Sequence, residues 1–216
     1  MADAEVENQA LHAGTRERLL EVTIAVIESR GEPMVRVKAI ADEVGVASTS
    51  VYHYFGNREG LVDAANAERY RRTLYGPNHE ALRAAFAECS SQDDCADLLR
   101  HILTLANQED GMQRRRARVA VLGSAVSRPP LAVQVIAANA EYAKDLAYTF
   151  MPAQVKGWIR RDIDLEAAVL WQIGQMTGRI MVELDPSICD LAEWDRIEAD
   201  GVIAAFLGMA PLPSKF

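Results

Sequence analysis

Between Val37 and Tyr54 the chain reads Val-Lys-Ala-Ile-Ala-Asp-Glu-Val-Gly-Val-Ala-Ser-Thr-Ser-Val-Tyr-His-Tyr, an order that few folds can accommodate. Ile40 and Val44 lie four apart, so on a helix both point to one side. Ala41 is small where a second helix must cross closely. Gly45 supplies a turn with positive φ, which costs other residues about 1 kcal/mol or more. Val46 re-enters the core after the turn, and Val51 with Tyr54 or Phe55 forms the inner face of a second short helix. The spacing predicts two short helices, about 37–44 and 48–55, crossing steeply through a glycine turn.

The outward side of the second helix differs from an ordinary solvated face. Ser48, Thr49 and Ser50 are short hydroxyl residues, and Tyr52 and His53 follow, where Glu and Lys are more usual. Short polar side chains let a helix enter the major groove and reach base edges. Arg36 and Lys38 before the turn, and Arg58 after it, are placed to hold phosphates. The alternative, a hairpin that only packs, leaves that hydroxyl edge unexplained.

Around this element the chain reads as all-α. Thr15 is a good N-cap for a helix to Arg30, stopped by Gly31, and residues 1–14 have no sustained period and are expected to form a flexible tail. Asn57 is positioned to cap a helix over 58–74. We place the N-terminal three- to four-helix domain at 15–75, a break at Gly76-Pro77-Asn78, and a helical domain at 76–216. Expected helices there are 79–89, 93–109, 112–127, 130–150, 153–160, 165–184 and 191–208. The net charge of −8 argues against indiscriminate nucleic-acid binding, so affinity must come from a few placed cations. No run of apolar residues is long enough to span a membrane, and a cytoplasmic location is expected. Cys89, Cys95 and Cys189 lack metal-type spacing and read as reduced thiols, with a redox pair Cys89/Cys95 as the alternative. His12, His53, His79 and His101 are scattered. No catalytic cluster, cofactor motif or metal site is expected, and the chain is not read as an enzyme.

Residues 40–46, then Val51-Tyr52-His53-Tyr54-Phe55, Asn57-Arg58-Glu59 and Leu61 resemble the N-terminal signature of TetR-type transcriptional regulators. The resemblance implies a homodimeric repressor that binds a palindromic double-stranded DNA operator and releases it when an unknown small molecule occupies the C-terminal domain. An activator, or a regulator sensing redox state through Cys89, are the alternatives. The resemblance also implies phosphate contacts by Tyr52 and Arg58, a groove-facing Ser48, Thr49, Ser50 and His53, and an approach to DNA by Lys38. Two departures stand out: no threonine caps the first short helix near Arg36, and Arg58 replaces a lysine.

In the second domain, Leu165, Val169, Ile173, Met176 and Ile180 form one apolar stripe. Trp194, Val202 and Phe206 lie on another. We assign both to an isologous four-helix dimer interface. Candidates for a ligand pocket are Phe86, Leu99, Ile102, Leu103 and Met112, with Tyr142, Phe150, Trp158 and Trp171. The run Arg114, Arg115, Arg116, Arg118 fans around a helix and is expected to be a solvated face, with an anionic ligand or partner as the alternative.

Overall fold

The computed structural model describes residues 2–75 and 79–209. Among them every regular element is helical: α1 (Ala2–Arg30), a 3-10 turn (Glu32–Met34), α2 (Val37–Val44), α3 (Ser48–Phe55) and α4 (Arg58–Leu74) come first. They are followed by α5 (His79–Glu88), α6 (Gln92–Ala106), α7 (Glu109–Ala125), α8 (Pro129–Lys156), α9 (Leu165–Gly178), α10 (Ile180–Glu183) and α11 (Leu191–Leu207). The break expected at Gly76-Pro77-Asn78 lies outside the described residues. Among those described, no helix is long and apolar enough to cross a membrane.

Contacts divide the chain into two compact units, Met1–Arg71 with Val121–Val135, and Arg72–Ala120 with Ile136–Phe216. The first therefore draws on a segment that lies well beyond the 75/76 boundary expected from sequence. Its core is aliphatic: Leu19, Ile24, Ile40, Val44, Val51 and Leu61 are all buried, each contributing about 1.5–3 kcal/mol relative to exposure. α1 begins upstream of the Thr15 cap expected for it. The stretch before Gly14 holds Ala2, Ala4, Ala10 and Ala13 with Glu5 and Glu7, whose helix propensity needs no amphipathic period.

The second unit is built on α6, which packs against α11, and α11 in turn on α9. Its core joins Phe86, Phe150 and Phe206 edge to face, with ring centroids 4.7 Å and 5.7 Å apart. Side-chain caps start three of its helices: Ser91 accepts from the Asp94 amide, Asp164 from Ala167 and Asp190 from Ala192. Several expected boundaries are corrected. The break expected at 110–111 falls at 107–108, between α6 and α7. α8 runs through Pro152, because the loss of one ladder bond is offset by the burial of Leu146, Phe150 and Ala153 on the same helix. The single helix expected over 165–184 is broken at Arg179, whose guanidinium is held by Glu183 and Asp195.

Candidate functional site

The helix-turn-helix geometry follows from its residues. α2 ends at Gly45 with φ 78 and ψ 34, in the left-handed region, and the amides of Gly45 and Val46 close back onto the carbonyls of Asp42 (3.2 Å) and Ala41 (2.9 Å). Ile40, Ala41, Val44 and Val51 are buried, and Val46 and Phe55 are half-buried against them. Arg18 donates to the Val44 carbonyl at 2.8 Å, tying α1 to the end of α2. Asn57 accepts from the Gly60 amide at 2.7 Å and so caps α4.

α3 is one-sided. Val51 is fully buried, while Thr49, Tyr52 and His53 are exposed and Ser48 and Ser50 are half-buried. Arg36 and Lys38 are exposed beside it. Arg36 occupies the N-cap position of α2 without a side-chain cap, and donates instead to the Pro33 carbonyl at 2.6 Å. Arg58 is placed differently from the phosphate clamp expected of it. Its guanidinium donates to the carbonyls of Val35 (3.0 Å) and Glu32 (2.6 Å), which braces the 3-10 turn against the start of α4. Sequence reasoning missed a second set of ties in this unit. Arg128 pairs with Glu32 at 2.8 Å and with the buried Asp63, and Asn66 donates to Glu32 at 2.6 Å. No local signal marks these pairs, whose partners are up to 96 residues apart.

The second unit contains a cavity of about 270 Å³ lined by residues of α4 to α9. Of the pocket candidates, Ile102 and Tyr142 line it. Phe86, Leu99, Leu103 and Phe150 belong to the solid core, Trp158 packs against that core, Met112 is half-buried away from the lining, and Trp171 is exposed. Leu74, Leu82, Leu105, Ile173 and Met176 supply the remaining large apolar lining.

The arginine run is the main correction. Arg116 is exposed, but Arg115 and Arg118 are 2% and 7% exposed, and Arg114, Arg115 and Arg118 all line the cavity. Arg115 ion-pairs with Glu183 and donates to Asn107 at 2.7 Å and to the Met176 carbonyl at 2.5 Å. Glu183 also receives Arg179 at 2.5 Å, and Arg179 grips Asp195 with two bonds. Burial pushes the Glu198 carboxyl above its usual range, in spite of an Asn107 hydrogen bond and nearby arginines. The signal was present in the spacing: Arg115, Arg118, Val121 and Ala125 lie on one face of α7, and all four are buried.

The dimer stripe is also redistributed. Leu165, Val169, Val202 and Phe206 are buried in their own subunit's core, so they have no surface to offer a partner. Ile173, Met176, Ile180 and Trp194 are half-buried. Among the described residues no group of three or more His, Cys, Asp or Glu is placed to hold a metal ion.

Residues 19–65 match the family described as bacterial regulatory proteins, tetR family. Over 51 residues the chain is 37% identical to the HTH-type transcriptional repressor KstR2 of Rhodococcus jostii (strain RHA1), a stretch equal to 24% of this chain and 25% of that protein. The chain thus matches about a quarter of the length of this curated relative. Its fold is similar to that of a TetR-family transcriptional regulator from Rhodococcus sp., with TM-score 0.59 and 22% identity over 89% of this chain and 96% of that one. A transcriptional regulator from Saccharomonospora viridis, solved in complex with choline, gives 0.58 and 17% over 90% and 98%. These two likenesses establish a shared all-helical fold.

Proposed function

We propose that this chain, a TetR-family member by its N-terminal domain, is a homodimeric, sequence-specific repressor that leaves a palindromic operator when a small molecule fills the cavity of its second unit. The observation that carries the DNA-reading role is the one-sided α3, with Val51 at 0% exposure and Thr49, Tyr52 and His53 in water. Such a helix enters the major groove, with Thr49, His53 and the flanking Ser48 and Ser50 at base edges and Tyr52, Arg36 and Lys38 at phosphates. Arg58 acts here as a positioning residue for the head.

Reading two half-sites about 34 Å apart requires two heads. The surface that supports a dimer is the outer face of α9 to α11. Trp171, Met181 and Ile197 are 41%, 62% and 58% exposed, and a side chain at Gly174, Gly178 or Gly201 would meet open space. Bare backbone beside exposed apolar side chains allows two copies to cross closely. For ligand response, support comes from the cavity itself and from the choline-bound neighbour of the same fold. The redox alternative, sensing through Cys89, lacks such support: that thiol is buried in the core and donates to the Ala85 carbonyl at 3.5 Å, away from the electropositive, accessible setting of a reactive thiol.

Selection of bound duplexes from a randomised pool, followed by sedimentation of the complex, tests the reading. The expected result is an inverted repeat bound by one dimer. A consensus without two-fold symmetry, or one subunit per site, overturns it.

A further inference from the structure

Resting on that reading of the cavity as an effector site, we infer that the effector is an amphipathic organic monoanion of about ten non-hydrogen atoms in all, a carboxylate on an apolar body. The size follows from the cavity: 270 Å³ is roughly nine times the ~30 Å³ that one water occupies. The apolar body is matched by Leu82, Ile102, Leu105, Ile173 and Met176.

The charge is matched by α7. Arg114 and Arg118 are one turn apart on the same face of that helix, and both line the cavity. Arg115 is not available to a ligand, because Glu183 already holds its charge. Arg118 is oriented by bonds to the hydroxyl and carbonyl of Thr73 at 3.2 Å and 2.6 Å and to the Thr177 hydroxyl at 3.3 Å. Tyr142 lines the same cavity within the field of Arg118. Arg114 is half-buried and, among the described residues, makes no hydrogen bond or ion pair. A neutral occupant would desolvate it without compensation, and an ammonium would be repelled by it. Asp110, one turn before Arg114, also lines the cavity but is exposed. It opposes a second negative charge, which favours a monoanion over a dianion.

Calorimetric titration of the full chain with octanoate, octanol and octylamine tests the inference, alongside operator release by each. Octanoate is expected to bind about tenfold tighter than octanol, as befits one charged hydrogen-bonding partner. Arg114→Gln should weaken octanoate by about that factor and leave octanol unchanged, while Ile102→Trp should remove both by filling the cavity. Equal binding of octanol and octanoate with no dependence on Arg114, a preference for octylamine, or no binding by any of the three overturns the inference. Octanoate that binds through Arg114 but leaves the operator complex intact sustains the anion site and overturns the effector reading instead.

Discussion

In the first unit the centre is aliphatic and the pairs Arg128–Glu32 and Arg69–Glu28 (3.3 Å) sit toward its edges, with Asp63, also held by Arg128, the buried exception among them. In the second unit Arg115, Arg179, Glu183 and Glu198 are all less than 9% exposed, beside a cavity. Edge pairs in water are individually weak, whereas buried charges are costly to form and costlier to break singly. The first unit is therefore built to hold one shape. The second carries groups whose energies depend strongly on what lies next to them, the property required of a part that responds to a ligand.

The largest expected effect that tests this contrast is at Glu183. Glu183→Ala leaves Arg115 and Arg179 without their shared carboxylate and should lower unfolding stability by about 3–5 kcal/mol in denaturant titration. A loss no greater than that of an exposed pair would remove the distinction between the units. Arg58→Ala comes next. Losing two charge-assisted bonds to buried-side carbonyls should cost about 2 kcal/mol, with the salt dependence of operator binding unchanged at temperatures where the head is folded. A drop in that slope would return Arg58 to the phosphate contacts. Lys38→Ala should do the reverse, leaving the melting temperature unchanged and lowering the slope of log affinity against log salt by about 1.

The smallest effect concerns pH. The Glu198 carboxyl is raised from 4.5 by burial, so folding favours its protonated form. Its stabilising contribution is complete below about 4.5 and is lost as pH rises through the higher folded value. Glu198→Gln, which mimics the protonated form, should be more stable than the parent at pH 7, with the gap closing toward pH 4 in paired melts. A gap that widens on acidification would mean that ionised Glu198 supports the arginines.

How far the sequence could be read follows from the same contrast. The bounds of α2, α3 and α4 come out as expected, because residues within one or two turns determine them: Gly45 for the turn, Val51 for the face, Asn57 for the cap. The exposed side of α3 was legible for the same reason, since Thr49, Tyr52 and His53 lie opposite the buried Val51. The bracing bonds of Arg58 could not be read from sequence, because its partners, 23 and 26 residues back, leave no local trace. The cavity was mostly missed because an apolar residue that lines a void and one that fills a core share the same period; Ile102 and Leu103 are adjacent in sequence and differ in this. Arg115 and Arg118 were assigned to solvent because the four arginines were taken together as a run that fans around the helix; paired with Val121 and Ala125, those two lie on its buried face.

The segment Val121–Val135, with Arg128 in it, has a consequence for how such molecules are rearranged. A head cut out at residue 75 would lack the guanidinium that holds Glu32 and Asp63. Grafting this head onto another C-terminal domain would therefore require a matching arginine in the recipient. Exchange of parts between such proteins, by recombination or by design, is constrained to pairs whose distant residues already fit.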